Sequence, residues 1–307
     1  MRHGEIISFL FLVLLFVIAS LVSPLFLKPN NLTNVMRQAA ALSVVAIGQT
    51  FVLLIAGIDL SVGNIATVSG IISAVMMNGK SELIIPAILL SLLTGVLIGL
   101  FNGFVITRFK LPDFIVTLAM LSIIDGFMFL YTEGNEVGLV ASGFMQFDSS
   151  TFLKLPFTFL LSLGITGLAY VFLQYTRLGR NIYAVGGNRD SARLSGININ
   201  KVRMMVYGIS GFMAALSGLV LLSRIGIGYP LAGADLNIDS IVAVVIGGTA
   251  LRGGRGNIIG TLFGVLILSI LNNFFNLIGV SAFAQIVLKG VIIVSVVILR
   301  ALAEKSS

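Results

Sequence analysis

The sequence predicts an all-α polytopic membrane protein of about ten transmembrane helices, built as one domain over residues 1–307. Two observations predict this fold class. Of the 307 residues, 57% are hydrophobic and only 10% are charged, which is too few charges to cover the surface of a soluble domain of this length. Long apolar runs also recur along the chain, and most approach the length of about 20 residues with which a helix crosses about 30 Å of hydrocarbon.

The apolar runs follow one another along the whole chain, and we expect one helix in each. The run at 238–250 is short, so we expect a broken or partial span there. The start, Met1-Arg2-His3 before an apolar run, resembles a signal peptide, but no clear cleavage site follows and we expect an uncleaved first span. The ten runs are 6–22, 35–56, 62–77, 84–106, 114–131, 152–175, 204–222, 238–250, 258–277 and 283–299.

Three stretches between the runs are too polar for hydrocarbon. The stretch at about 176–203 holds six Lys/Arg and a single acid, Asp190. The stretches at about 132–153 and 224–239 are acidic or rich in turn residues. With a cytoplasmic N-terminus and ten spans, most of the 19 Lys/Arg fall on the cytoplasmic side, in agreement with the positive-inside rule. We therefore expect cytoplasmic N- and C-termini, a cytoplasmic loop at 176–203 and outside loops at 132–153 and 224–239.

The chain weakly repeats itself. Residues 95–98, Gly-Val-Leu-Ile, return at 264–267, and Asn102-Gly103-Phe104 resembles Asn272-Asn273-Phe274. Five predicted spans separate the copies, and an odd number means that they enter the membrane from opposite sides. This arrangement indicates inverted five-helix repeats, with which transporters build two alternating faces around one path. Chance similarity between two apolar helices containing Gly and Asn is the alternative.

Composition excludes several chemistries. The chain has no cysteine and one histidine, His3, so thiol catalysis and Cys-rich or His-rich metal sites are excluded. The nucleotide-binding spacing GxxxxGK[ST] is absent, because Ala74 stands where Gly79-Lys80-Ser81 would need a preceding glycine. We therefore expect no catalytic residue, no metal and no cofactor on this chain. The net charge of +7 reflects the positive-inside bias and contact with membrane lipid, so it does not indicate nucleic acid as a partner.

Polar residues in or near the apolar runs are candidates for a translocation path. The most prominent lie in Ala56–Asn64, where an acid, a hydroxyl and an amide sit between two runs. Asp59 must be paired, near an interface or facing a polar cavity. A helix break lining the path and a tight turn with a helix cap are both open interpretations. The candidate path residues are Gln49, Thr50, Asp59, Ser61, Asn64, Asn102, Thr117, Asn272, Asn273 and Gln285. Together they suit a neutral, hydroxyl-rich solute better than an ion, although each alone is more often an interhelical hydrogen bond.

Four motifs resemble the ribose-type permease subunits of bacterial ABC sugar importers. They are TRLGRNIYAVGGNxxxARLSGININK at 176–201, AGIDLSVG at 56–63, DSIVAVVIGGTALRGGRG at 239–256 and LNNFFNLIGV at 271–280. They occur in the family's order, and the similarity extends from about residue 24 to 299. Two positions depart from the pattern: Arg252 replaces a residue that is often small, and Leu236-Asn237-Ile238 replaces an aromatic-acidic pair.

The resemblance implies an import permease of the bacterial cytoplasmic (inner) membrane that works beside a second copy of itself or a related permease. It also implies ABC ATPase subunits, which bind ATP-Mg, and a periplasmic or lipid-anchored sugar-binding protein. The cytoplasmic loop would then supply a short coupling helix that contacts the ATPase. The residues assigned to it are Gly187, Asn188, Arg189, Asp190, Ser191, Ala192, Arg193, Leu194, Ser195 and Gly196.

Two other function classes remain open from the residues alone. An ion-coupled secondary sugar transporter would work without an ATPase, but it would need buried acids, for which only Asp59 and Asp125 qualify. A membrane-embedded enzyme would need paired acids, a buried His or a Cys, which the sequence does not supply. The sugar itself is not specified by the polar residues.

Overall fold

The computed structural model describes the backbone of residues 3–305. It describes the side chains of the same residues except 3, 4, 282, 293 and 296–305. Arg2, on which the prediction of cytoplasmic termini partly rests, lies outside this range. The described chain is almost wholly helical. Its α-helices are α1 (His3–Val22), α2 (Pro29–Leu54), α3 (Val62–Met77), α4 (Ile84–Phe109), α5 (Asp113–Thr132), α6 (Ser142–Ser149), α7 (Phe157–Tyr175), α8 (Arg177–Gly187), α9 (Arg189–Leu194), α10 (Ile199–Ile225), α11 (Leu236–Ile246), α12 (Ile258–Leu277) and α13 (Ala282–Lys305).

The protein is an all-α polytopic membrane protein. Within the described residues, seven helices are long and apolar enough to cross a membrane, and shorter apolar helical stretches lie at Val62–Met77, Leu236–Ile246 and Phe283–Ile292. Each of the ten predicted runs overlaps one of these helical stretches. Helix α11 has 11 residues and is therefore only about 16 Å long, which agrees with the prediction that the run at 238–250 is a broken or partial span.

The run at 152–175 differs from the prediction at its start. The helix begins at Phe157, and the preceding residues form a two-stranded hairpin of β1 (Thr151–Phe152) and β2 (Leu155–Pro156). Leu153 and Lys154 close the hairpin with φ values of 52° and 66°. The extended backbone at Pro156, with ψ of 136°, then sets the first turn of α7, because proline tolerates the start of a helix but not its interior.

Helix α10 lies at the centre and packs against α2, α3 and α4. Small residues permit the close contact with α4. A Cβ added at Gly99 would lie 2.2 Å from the Tyr207 carbonyl oxygen, and one added at Gly95 would lie 2.5 Å from the Gly211 carbonyl oxygen. The backbones of α4 and α10 therefore touch directly, and this pair forms the rigid centre of the bundle.

Helices α3 and α11, which we call the two short helices, begin side by side. The chain reaches α3 from one end of the bundle and α11 from the other. After α10, residues 226–235 fold back along α3, where the Gly233 N–H donates to Thr67 Oγ1 at 3.0 Å. The first turn of α11 then meets the first turn of α3, and the Gly63 N–H donates to Asn237 Oδ1 at 2.6 Å. From this meeting point α3 runs toward one end of the bundle and α11 toward the other.

Candidate functional site

The basic loop occupies one end of the bundle, which we call the basic face. It forms α8 and α9 and then enters α10, and a side-chain cap marks each start. Thr176 accepts from the Gly179 N–H at 3.1 Å, Asn188 from the Ser191 N–H at 2.9 Å and Asn198 from the Lys201 N–H at 3.0 Å. Each cap satisfies an otherwise free N–H group of the first turn. The loop is therefore an ordered helical element.

Helix α9 projects from the basic face. The predicted coupling residues Asn188–Gly196 comprise this helix, its N-cap and the turn after it, with Gly187 ending α8. Ala192 is buried, whereas Leu194 is 89% exposed, beside the exposed Arg189 and Arg193. Helix α9 therefore exposes one large apolar side chain and two arginines on the basic face.

Three turns meet directly beneath α8. The Gly254 N–H donates to the Leu54 carbonyl oxygen at 2.9 Å. Gly186 packs so closely on the same carbonyl that an added Cβ would lie 1.7 Å from its oxygen. The Tyr183 hydroxyl donates to the Gly256 carbonyl at 2.9 Å. The end of α8, the end of α2 and the turn before α12 are thus interlocked, and we call this contact the three-turn junction.

The α2–α3 connection runs from the junction into the bundle as an irregular segment, Ala56–Ser61. Arg189 Nη2 lies 3.4 Å from the Ile55 carbonyl oxygen, so α9 touches the start of this connection. Ala56 has φ of 56°, a left-handed value that is unfavourable for a residue with a side chain. Helix α2 ends at Leu54, just before this segment, and helical structure resumes only at Val62.

Asp59 anchors the segment in a buried polar cluster. Its side chain is fully buried and accepts from the Ser61 N–H at 3.0 Å, from Ser61 Oγ at 2.7 Å and from Ser210 Oγ at 2.9 Å. Asn102 Nδ2 donates to Ser61 Oγ at 3.0 Å, and Thr117 Oγ1 donates to the Ile58 carbonyl at 3.2 Å. Four of the candidate path residues therefore converge here, tied to α4, α5 and α10.

An ionic contact that the sequence did not reveal lies beside this cluster. Asp113 at the start of α5 pairs with Arg203 and accepts a 2.6 Å hydrogen bond from the Tyr207 hydroxyl. Gly57 packs against the Asp113 carboxylate and the Tyr207 hydroxyl. Arg203 and Tyr207 are four residues apart on α10 and hence share a face. The four-residue spacing of Arg203 and Tyr207 can be recognised in the sequence. Their acidic partner Asp113, 90 residues from Arg203, cannot.

A second polar cluster forms where the two short helices begin. Asn237 Nδ2 donates to Asn64 Oδ1 at 2.9 Å, and Asn64 Nδ2 donates to Asp125. Asp125 is half-buried on α5, at the level of the bundle where a carboxylate exposed to lipid would be unfavourable. Of the predicted path residues only Asn64 belongs to this cluster. Asn237 was not predicted as a path residue because it follows a turn-rich stretch that resembles a loop.

The remaining path candidates are separated from these clusters. Thr50 contacts Thr261 at 2.7 Å, Asn273 pairs with Asn31, and Gln285 donates to Asn276. Asn272 borders the Asp239 carboxylate, which Lys289 meets at 3.2 Å. Gln49 is fully buried, and neither of its amide atoms has a hydrogen-bond partner in the described part of the chain.

Two further internal matches are visible once the fold is known. Ala56-Gly57-Ile58-Asp59-Leu60 before α3 corresponds to Ala232-Gly233-Ala234-Asp235-Leu236 before α11, and Ala-Ala-Leu-Ser occurs at 40–43 in α2 and at 214–217 in α10. Ser217 Oγ donates to the Ala41 carbonyl at 2.8 Å, so the matched parts of α2 and α10 touch. These two matches are spaced by 176 and 174 residues, whereas the Gly-Val-Leu-Ile pair is spaced by 169. Because the spacing differs, the two matches are not apparent from the sequence alone.

Broken helices that meet inside a polytopic bundle are typical of membrane transport proteins. The chain belongs to the family described as "Branched-chain amino acid transport system / permease component", whose model matches residues 31–297. It is therefore a permease.

Comparison with curated proteins gives relatives over nearly the full length. The ribose import permease protein RbsC of Bacillus subtilis (strain 168) is 42% identical over 294 residues, covering 95% of this chain and 91% of the relative. RbsC of Escherichia coli (strain K12) is 39% identical over 299 residues, covering 95% and 92%. The D-allose transport system permease protein AlsC of Escherichia coli (strain K12) is 33% identical over 297 residues, covering 97% and 91%. No solved structure matches the chain.

Proposed function

We propose that the chain is the membrane-spanning subunit of an ATP-driven importer that moves a monosaccharide, most closely ribose-like, into the cytoplasm. The observation that supports the ATP-driven part is helix α9, which exposes Leu194 together with Arg189 and Arg193 on the basic face. The sugar is inferred from the relatives, because those with 42% and 39% identity are named ribose import permeases and the 33% relative is named for D-allose.

The proposal includes the partners that such a subunit needs. ABC ATPase subunits bind ATP-Mg and contact residues 187–196 on the basic face. A periplasmic or lipid-anchored sugar-binding protein docks at the opposite end, and a second copy of this chain or a related permease completes the membrane unit. The chain itself binds no nucleotide, metal or other cofactor. The basic face is cytoplasmic, both termini lie on that side, and the complex resides in the bacterial inner membrane.

The proposal also includes ten crossings arranged as two inverted five-helix repeats. In this arrangement α2, α3 and α4 correspond to α10, α11 and α12. The matched Ala-Gly-x-Asp-Leu segments, each directly before a short helix, support the correspondence. The packing supports it too, because α3 lies against α4 and α10 while α11 lies against α12 and α2. Two such repeats can alternate between an outward and an inward opening around one path.

The test is co-purification with the ATPase encoded beside this chain, in mild detergent. Wild type is compared with a variant in which residues 188–196 are a Gly/Ser linker, and with a control in which the exposed loop residues 133–136 at the other end are replaced in the same way. We expect the ATPase with wild type and the control and its loss from the 188–196 variant. A folded wild type that retains no ATPase, or sugar uptake by the chain alone under an ion gradient, would overturn the proposal in favour of a secondary transporter.

A further inference from the structure

We propose that the segment Ala56–Ser61 is the gate that closes the transport path on the basic-face side, that Asp59 is its latch, and that Gly186 transmits movement of α8 and α9 to it. The inference rests on the proposed function, since it names the element within the membrane that the ATPase would move. Gly186 and Asp59 are positioning residues for transport, and neither is assigned a contact with the sugar.

The first step is the position of the segment. Helix α3 has 16 residues and spans about 24 Å, which is less than the hydrocarbon thickness of about 30 Å. The irregular backbone before α3 therefore lies partly within the membrane. Such backbone is tolerated only where protein or a water-filled cavity satisfies it. The polar cluster around Asp59 supplies hydrogen-bond partners from the protein, which places the segment inside the bundle rather than in lipid.

The second step is the way the segment is held. Asp59, Ser61 and Ile58 together bind side chains from three different helices: Ser210 on α10, Asn102 on α4 and Thr117 on α5. Two of the three hydrogen bonds that the Asp59 carboxylate accepts come from Ser61 within the segment, and the third comes from Ser210 on α10. Leaving a buried acceptor without one of its partners is unfavourable. Withdrawing the segment would break the Ser210, Asn102 and Thr117 contacts together, so the cluster would change between a closed and a released state.

The third step is an unsatisfied group in the latch cluster. Asn102, which donates to Ser61 Oγ through Nδ2, has its Oδ1 buried without a partner within residues 3–305. Buried amide atoms without partners are rare in native structures. Water or a hydroxyl-bearing solute would satisfy this oxygen once the segment withdrew.

The fourth step is the corresponding segment of the second repeat. Ala232–Leu236 has the same Ala-Gly-x-Asp-Leu pattern and also precedes a short helix. Its aspartate, Asp235, is exposed, whereas Asp59 is fully buried. One structure thus contains the same pentapeptide pattern twice, with the carboxylate buried in one copy and exposed in the other. This difference is the one expected if the two segments act as gates of opposite state.

The fifth step is the link to the docking element. The Leu54 carbonyl is held between the Gly254 N–H and the backbone of Gly186, and the carbonyl of Ile55 is contacted by Arg189. Asp59 follows within five residues. A shift of α8 and α9 by a bound ATPase would therefore displace the segment directly. The glycine at 186 is required for this contact because no side chain fits between α8 and the Leu54 carbonyl.

The test uses the absence of cysteine from this chain, so that an introduced thiol is the only one on this subunit and labelling is read on this subunit alone. A Leu60→Cys variant is placed in the complete complex in proteoliposomes, and its reaction with a polar maleimide is measured with and without a non-hydrolysable ATP analogue. We expect nucleotide to change the reaction rate. We expect Gly186→Ala to abolish both this change and sugar uptake while the ATPase remains bound. Gly167→Ala on α7 is the matched control, because its added Cβ has no described atom within 4 Å.

A second variant keeps the inference testable if Gly186→Ala does not fold. Ser210→Ala removes one donor from Asp59, and we expect the Leu60 thiol to react faster without nucleotide. Normal uptake and nucleotide-dependent labelling in a folded Gly186→Ala complex would overturn the gate assignment. So would labelling of Leu60→Cys that is unaffected by nucleotide and by Ser210→Ala. Failure of wild type to retain the ATPase would instead count against the proposed function, so the two failures are distinguishable.

Discussion

Asn237 joins the two short helices by accepting from the Gly63 N–H at 2.6 Å through Oδ1 and donating to Asn64 Oδ1 at 2.9 Å through Nδ2. One amide thus bonds both the backbone and the side chain of the first turn of α3. Because α3 and α11 are reached from opposite ends of the bundle, this contact fixes where the two broken spans meet. It also orients Asn64 toward Asp125 on α5.

Asn237→Leu tests this contact by stability. The substitution keeps the branching at Cγ but leaves the Gly63 N–H and Asn64 Oδ1 buried without these partners, which costs about 1–3 kcal/mol. We expect a lower midpoint of thermal unfolding in detergent than for wild type. Asn135→Leu is the control, since its side chain is exposed and makes only a 3.4 Å contact with the Glu133 carbonyl. Equal midpoints for the two variants would show that Asn237 does not hold the helices together.

Hydropathy and length sufficed to predict the helices, because a hydrocarbon environment leaves few alternatives to them. The hairpin at 151–156 escaped prediction because Leu153-Lys154 lacks the Asn-Gly signal of a tight turn. For the site, Asp59, Ser61 and Asn102 were conspicuous as polar residues among apolar ones. Ser210 was not, since a serine in a membrane helix is ordinary, and its contact with Asp59 across 151 residues depends on the packing of α10.

The contact between α4 and α10 predicts strong sensitivity to side-chain size at Gly99. An alanine Cβ there would be 2.2 Å from the Tyr207 carbonyl oxygen and 3.2 Å from Gly211 Cα, so the helices must separate. We expect Gly99→Ala to destabilise the protein by about 1–3 kcal/mol, the usual effect of overpacking, measured by thermal unfolding in detergent. Gly164→Ala on α7 should be neutral or slightly stabilising, because its Cβ meets open space among the described atoms. A Gly99→Ala variant as stable as this control would contradict direct backbone packing.

The ion pair between Lys289 and Asp239 predicts an asymmetric response to removal of one charge or both. The side chains are 19% and 13% exposed, so a single neutralisation leaves the other charge largely buried, at a cost of about 3 kcal/mol or less. We expect Asp239→Asn to lower the unfolding midpoint more than the double variant Asp239→Asn with Lys289→Met. A double variant less stable than both single variants would show that the pair stabilises the packing of α13 on α11 beyond mutual neutralisation.

We predict that a substitution at Leu194 impairs binding of the ATPase without affecting folding. At 89% exposure it contributes little to the packing of the isolated chain, so Leu194→Asp should leave the unfolding midpoint within about 0.5 kcal/mol of wild type. In a complex, the same side chain would occupy an apolar pocket of the ATPase, where a carboxylate is strongly unfavourable. We expect Leu194→Asp to lose the ATPase in co-purification, while Leu153→Asp, at a site 79% exposed on the opposite end, retains it. Retention by both variants would show that Leu194 does not contribute to binding of the ATPase.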